Sequence, residues 1–190
     1  DLDLDITLSD YNVSKLLNIN SILIEFFKSE LLFNENISVN TSINLKSNSK
    51  NEIFNNAKIY LHIINGKIDF NKTRLVNNKI GLIELNNSDF FVENNKLFLN
   101  TDIMFDIRNS DKLFSFLNTD KKLRKKIKNI FINLDYDFLN NQFQFNNIKL
   151  DNQKLSDQSL EIINGFNNFS FKNSYKNRLL LNKLLSFYEG

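Results

Sequence analysis

Two groups of carboxylates have a spacing that could bind a metal ion. Asp1, Asp3 and Asp5 alternate with apolar residues at the start of the sequence, and Asp135 and Asp137 do so later. Residues spaced i, i+2 lie on one face of a β-strand, where carboxylate oxygens could bind Ca²⁺. Neither group is accompanied by a glycine-bearing loop or by further oxygen ligands. The spacing therefore favours the polar face of an amphipathic strand, and the sequence predicts no metal site.

A dense run of cations is the second candidate for a binding site. The basic residues of this run are Lys121, Lys122, Arg124, Lys125, Lys126 and Lys128. Such a run could bind an anionic surface, either lipid head groups or nucleic acid, or it could be a solvated loop. The interleaved Leu123 and Ile127 suit a membrane surface better than a phosphate groove. The formal net charge of the whole chain is only +2, which argues against nucleic-acid binding by the chain as a whole.

The chain lacks the residues of the commoner catalytic sites. It has no Cys, and its single His, His62, falls on the polar side of an alternating run, where we expect a surface residue. This composition excludes thiolate metal sites, Cys nucleophiles and multi-His sites, and it argues against a His-based triad. The four glycines form no nucleotide-binding pattern and no G-x-S-x-G motif. The sequence therefore predicts a non-enzymatic protein with no cofactor.

Alternation of apolar and polar residues dominates the chain and predicts antiparallel strands with one buried face. We expect strands over about residues 2–8, 36–46, 56–64, 67–71, 80–85, 89–93, 96–107 and a hairpin over 128–150. Asn65-Gly66 between two alternating runs is a strong hairpin signal. Asn pairs at 86–87, 94–95 and 140–141 indicate further turns.

Helices are few in this pattern. The spacing predicts helices over 13–30, 109–117, 158–164 and 174–188, with Asp157 capping the third and Gly165 ending it. With 42% apolar and 24% charged residues, the chain is not a disordered tail. No stretch is both long and apolar enough for a membrane span. We therefore predict one mostly β segment over residues 1–190, an antiparallel sheet with a few short helices.

The apolar face of this sheet is the remaining candidate for a binding surface. In a closed sandwich two such faces pack together, whereas in an open sheet the face lines a groove for an apolar ligand. Core-facing and lipid-facing strands alternate in the same way, so a lipid groove and a structural or adhesive sandwich both remain open. The side chains that would line a groove are Ile37, Val39, Ile43, Leu45, Ile59, Leu61, Ile63, Ile68, Phe70, Leu97, Leu99, Ile103, Phe105, Ile107, Ile130, Ile132, Leu134, Phe138, Phe143 and Phe145.

Several short motifs resemble one known family. A G-x-I-x-F run begins at Gly66, a G-x-I-x-L run begins at Gly81, and an L-x-L strand with the sequence Leu-Phe-Leu begins at Leu97. A Y-D-hydrophobic strand at Tyr136 follows a short predicted helix. Over about residues 35–150 the chain resembles the C-terminal region of AsmA-like proteins, which include TamB and YhdP. Asn100 stands where that family often has Gly.

The resemblance implies a fold and a function together. It implies a U-shaped, taco-like antiparallel β-groove whose concave apolar face carries the acyl chains of phospholipids. Such proteins are anchored in the inner membrane, cross the periplasm and support outer-membrane biogenesis. The chain begins Asp-Leu-Asp without Met and shows no signal peptide, so we interpret it as an excised or mature segment. Its membrane anchor would then lie upstream of residue 1, and the segment itself would be periplasmic.

Overall fold

The computed structural model describes residues 2–10, 31–47, 54–94, 96–138, 140, 142–165 and 174–189. The strands are β1 (Leu2–Ser9), β2 (Ser38–Lys46), β3 (Asn56–Ile64), β4 (Lys67–Asp69), β5 (Arg74–Asn77), β6 (Gly81–Glu93), β7 (Lys96–Ile107), β8 (Asn129–Asp137), β9 (Gln142–Leu150) and β10 (Gln153–Lys154). The helices are α1 (Ser110–Leu117), α2 (Asp157–Asn164) and α3 (Ser174–Ser186), with 3-10 turns at Leu31–Phe33 and Lys121–Leu123. The prediction of a mostly β fold with a few short helices is confirmed. The helix predicted over 13–30 lies outside the described residues.

All ten strands belong to one sheet in the order β1-β2-β3-β4-β6-β7-β8-β9-β10, with β5 beside β3 and β6. Every pair is antiparallel except β1 with β2, which run parallel. The expectation of a wholly antiparallel sheet therefore fails at this one pair. A parallel neighbour needs a long connection, and residues 10–37 separate the two strands. The alternation within β1 is the same for either direction, so it carried no signal of the difference.

Strand β6 departs from the prediction at its middle. The segments 80–85 and 89–93 form one continuous strand, and its register with β7 shifts between Asn86 and Asp89. Asn87 has a φ of 47°, which marks a β-bulge rather than a turn. A pair of Asn residues thus tolerates the left-handed conformation without ending the strand. The short strands β5 and β10 were not predicted, because four and two residues give too little alternation to recognise.

Gly66 and Gly81, the two glycines of the family-like motifs, each lie against the backbone of a neighbouring segment. Asn65 and Gly66 have φ values of 50° and 75°, as a two-residue hairpin requires, which confirms that predicted turn. A Cβ on Gly66 would collide with the carbonyl oxygen of Phe33, and one on Gly81 would collide with that of Asp106. Each position therefore needs glycine for its contact with a neighbouring segment.

The helices begin and end close to the predicted residues. The Asn109 side chain accepts from the N–H of Lys112 at 3.0 Å and caps α1, whose buried side chains are those predicted to face inward. Helix α2 is capped by Ser156, one residue before the predicted cap Asp157, and it ends at Gly165 as expected. Helix α3 ends two residues before the predicted Tyr188.

The core consists of two clusters on the apolar face. The larger cluster joins β3, β4 and β6–β9 to the three helices, and α2 packs against β9. The smaller cluster contains Leu45, Ala57, Ile59 and Leu75, from β2, β3 and β5. Each large apolar side chain buried in this way stabilises the fold by about 1.5–3 kcal/mol. The three described helices therefore pack mainly toward the β6–β9 part of the sheet.

Candidate functional site

The register of the sheet places its apolar side chains in continuous rows. One row runs across Ile6, Ile43 and Ile59 in β1, β2 and β3. In β6–β9 a row runs across Leu85, Ile103, Ile132 and Ile148. Side chains of neighbouring strands in one row lie on the same face and contact each other. The apolar face therefore extends from β1 to β9 without a polar strand between them.

The apolar face is not equally buried along its length. Near β9, Ile148 and Leu150 are each 1% exposed beneath the helices. On β1, Leu2 is 50% exposed, Leu4 41% and Ile6 39%. These three residues were assigned to a strand by their alternation but were not predicted to line a groove. Large exposed apolar residues in a row are a common mark of a binding surface.

The predicted groove residues lie on this apolar face in two states of burial. Eleven are buried in the two core clusters: Leu45, Ile59, Ile63, Ile68, Leu97, Ile107, Ile130, Leu134, Phe138, Phe143 and Phe145. Nine are half-buried and pack against the clusters: Ile37, Val39, Ile43, Leu61, Phe70, Leu99, Ile103, Phe105 and Ile132. The half-buried set has surface that a ligand can reach without repacking. Ile83 and Leu85, in the predicted strand over 80–85, extend it, although they were not among the predicted groove residues.

The opposite face carries carboxylates that accept hydrogen bonds from amides. Asp135 accepts from the Nδ2 atoms of Asn100 at 2.6 Å and Asn146 at 2.7 Å. Asp102 accepts from Nδ2 of Asn133 at 2.8 Å and Asn87 at 2.7 Å. These bonds join neighbouring strands through their side chains. The position Asn100, where the resembled family often has Gly, is thus used to bind Asp135.

The two predicted carboxylate groups have separate partners. Asp3 accepts from Nδ2 of Asn40 at 3.0 Å, and Asp5 accepts from the Ser42 hydroxyl. Asp137 accepts from Nδ2 of Asn140 at 2.7 Å. Asp1 lies outside the described residues. Within the described part of the chain, no three His, Cys, Asp or Glu side chains are grouped closely enough to hold a metal ion.

Three ionisable groups of the sheet, His62, Glu84 and Tyr136, are held by neighbouring side chains or by burial. His62 Nδ1 lies 3.1 Å from Asp69 Oδ1, with the His62 side chain about one-third exposed at 30%. A hydrogen bond from Asn86, assisted by Arg74 at 2.6 Å, holds the pKa of Glu84 below its ordinary value. Burial raises the pKa of Tyr136 to about 12, with a smaller contribution from the charge of Asp137.

The basic segment, residues 121–128, is a surface feature on a fixed backbone. All six of its predicted cations are exposed. Ile127 is buried at 2% exposure, and the carbonyl oxygen of Lys128 accepts from the Ile107 N–H at 2.7 Å. The N–H of Lys128 donates to Asp151 Oδ1 at 2.8 Å. The segment is therefore anchored to the sheet rather than being a free loop.

Two of the six cations bind backbone oxygens. Arg124 Nε donates to the Thr119 carbonyl at 2.9 Å, and Lys125 Nζ donates to the carbonyls of Tyr188 and Glu189 at 2.9 and 2.7 Å. The other four are Lys121, Lys122, Lys126 and Lys128, whose side chains have no hydrogen bond or ion pair with any described residue. These four are free to bind an external anion.

A pocket of about 440 Å³ lies beside this segment. Lys125, Lys154, Ser156, Ser159 and Tyr188 contribute to its lining. Tyr188 also donates to Asp151 at 2.7 Å, and this bond raises the pKa of the phenol. Among the lining residues, Lys125 is bonded to the carbonyl oxygen of Tyr188, and the hydroxyls of Ser156 and Ser159 are bonded to each other.

Comparison of the chain with family models, with curated proteins and with solved structures finds no match. Among the described residues, none of the helices has the length and apolar character needed to cross a bilayer.

Proposed function

We propose that this chain is a non-enzymatic lipid-binding segment in which phospholipid acyl chains lie on the less buried part of the apolar face. One observation carries the proposal: among the described residues the apolar face continues across the sheet, yet its burial does not. Its side chains pass from 1% exposed at Ile148 to between 39% and 50% at Leu2, Leu4 and Ile6.

The nine half-buried residues of the apolar face have the chemistry that an acyl chain requires. Ile43, Leu61, Ile103 and Ile132 are aliphatic; the first two lie on the paired strands β2 and β3, and the last two on the paired strands β7 and β8. Each methylene of a ligand removed from water there contributes about 0.8 kcal/mol. Such binding is non-directional, so its affinity is shared among many side chains and no single one is essential.

The wider role follows from the motif resemblance. We propose a periplasmic segment of an AsmA-like protein, anchored in the inner membrane, that supports phospholipid movement to the outer membrane. The described fold supports this in two respects: it is mostly β, and Gly66 and Gly81 have steric reasons to be glycine.

A structural or adhesive domain with a closed core and no ligand is the second candidate. It is favoured by the burial of eleven of the predicted groove residues, among them Ile63 at 2% and Ile68 at 0% exposure. The two candidates differ in what contacts the half-buried residues.

Photo-crosslinking distinguishes them. Benzoylphenylalanine placed at Ile103 would lie on the apolar face, and the same group at Met104, 40% exposed, would lie on the opposite face. We expect the Ile103 variant to crosslink phospholipid during expression and the Met104 variant not to. Crosslinking at neither position, in protein that native mass spectrometry finds free of lipid, would support the closed core instead.

A further inference from the structure

Basic residues from several connections lie together where β6 begins, β7 ends and β8 begins. The N–H of Arg108 donates to the Ile80 carbonyl at 2.8 Å, which brings the end of β7 to the start of β6. The bond between Ile107 and Lys128 brings the start of β8 to the same place. We call the exposed basic side chains at these strand ends the basic rim: Lys79, Arg108, Lys121, Lys122, Lys126 and Lys128.

The charge at these strand ends differs in sign from that of the remaining chain. Residues 106–128 contain eight Lys and Arg and three Asp, a net charge of +5. The whole chain has a net charge of +2, so all other residues together have −3. The three carboxylates of the segment, Asp106, Asp111 and Asp120, are exposed and form no ion pair with a described residue. The excess positive charge is therefore local and not neutralised.

We propose that the basic rim docks on the surface of a bilayer that contains anionic phospholipid. Lys121, Lys122, Lys126 and Lys128 contact head-group phosphates, since their side chains have no partner among the described residues and lie on a backbone that Ile127 and Asp151 hold in place. The inference goes beyond the proposed function and does not rest on it, because the apolar side chains beside the rim, such as Ile107 and Ile127, are buried in the core.

The surroundings of the rim favour a membrane over nucleic acid. Single-stranded nucleic acid stacks its bases on exposed aromatic rings. Between residues 106 and 128 the aromatic side chains are Phe114, which is buried, and Phe116, whose ring lies 4.8 Å from the Arg178 guanidinium carbon. Neither ring is exposed as a platform. Leu123, half-buried among the cations, is the kind of residue that enters a bilayer interface.

Vesicle co-sedimentation of the full chain tests the proposal. The vesicles are phosphatidylcholine with and without phosphatidylglycerol, at several salt concentrations. The rim variant replaces Lys121, Lys122, Lys126 and Lys128 by Gln. A control variant replaces Lys58, Lys67, Lys72 and Lys96 by Gln, which changes the formal charge equally at other places on the sheet.

We expect the unmodified chain to bind only the anionic vesicles, with affinity that falls steeply as salt rises. The rim variant should lose at least about tenfold in affinity, since each Lys near an anionic surface contributes about 1 kcal/mol. The control should lose much less. Equal losses in both variants, no preference for phosphatidylglycerol, or tighter binding to a single-stranded RNA at the same salt would overturn the proposal.

Crosslinking from position 103 in the rim variant separates this inference from the proposed function. If vesicle binding is lost while lipid crosslinking persists, both stand. If vesicle binding survives the rim substitutions, the rim proposal fails and the apolar face is unaffected. If only the rim variant loses vesicle binding, but no variant crosslinks lipid at position 103, the rim stands and the lipid-binding face fails.

Discussion

The two ends of the sheet share one alternation but differ in what lies against it. Toward β9, Ile130, Ile148 and Leu150 are 1–2% exposed and belong to a core that includes three helices. On β1, Leu4 and Ile6 are 41% and 39% exposed. Both ends have alternating apolar residues, with one shift of the alternation in β9 between Phe145 and Ile148. The difference shows that alternation determines which face is apolar, whereas packing against segments distant in sequence determines how deeply that face is buried.

Placing a charge at each end of the sheet should give the largest difference in stability between the two ends. We expect Ile148→Asp to lower the free energy of unfolding by more than about 4 kcal/mol, because an unpaired carboxylate would be buried. Ile6→Asp on the exposed strand should lower it by less than about 1 kcal/mol. Urea unfolding of both variants measures the difference. Similar losses would mean that β1 is as much a part of the core as β9 is.

A charge at one of the nine half-buried residues should have an intermediate effect on stability and a large effect on lipid binding. We expect Ile103→Asp to cost about 1–2 kcal/mol of unfolding free energy, since solvent can still reach the carboxylate. It should nevertheless abolish lipid co-purification by placing a charge in the acyl path.

Met104→Asp is the matched control for this position, because it places the same charge on the opposite face. Native mass spectrometry with organic extraction reads lipid occupancy in both variants. A folded Ile103→Asp protein that retains its lipid would exclude Ile103 from the binding surface. A loss of stability as large as that of Ile148→Asp would instead support a closed core.

The buried region around Tyr136 should also make the stability of the fold sensitive to alkaline pH. This is the smallest of the expected effects. Tyr136 has a pKa of about 12 in the folded chain, above its ordinary value near 10. The neutral phenol is thus favoured by folding, so its contribution is complete below about pH 10 and is lost as pH rises toward 12.

Tyr136→Phe removes this ionisation. We expect the unfolding free energy of the variant to fall less steeply than that of the unmodified chain between about pH 9 and about pH 11. Tyr188 titrates in both proteins and therefore cancels in the comparison. Parallel pH dependences in urea unfolding would show that folding does not raise the pKa of Tyr136.

Alternation was enough to predict the faces and most of the strands. The bounds of β3 and β7 match the predicted 56–64 and 96–107, and the Asn65-Gly66 hairpin is present. These features depend on neighbours in sequence, which a local pattern contains. The helix over 110–117 was predictable for the same reason, since its cap Asn109 and its apolar stripe lie within one segment.

The pattern could not predict pairings between distant segments. Nothing within residues 2–9 specifies a parallel partner, and nothing in 86–87 distinguishes a bulge from a turn. The partial burial of the candidate face could not be predicted for the same reason, because it depends on how segments distant in sequence pack on that face. The bonds of Lys125 to the carbonyls of Tyr188 and Glu189 likewise join residues far apart in the chain.

The parallel pairing of β1 has a consequence for how the sheet is assembled. β1 is an edge strand whose one neighbour among the described strands is β2, and residues 10–37 must be closed into a loop before the two meet. Its contacts are therefore the costliest of the sheet in chain entropy, while its exposed side chains give little burial in return. β1 should join last during folding and open first in the native state. When it opens, the backbone of β2 becomes available to the corresponding strand of another copy, so exchange of β1 between molecules is the misassembly to which this architecture is most prone.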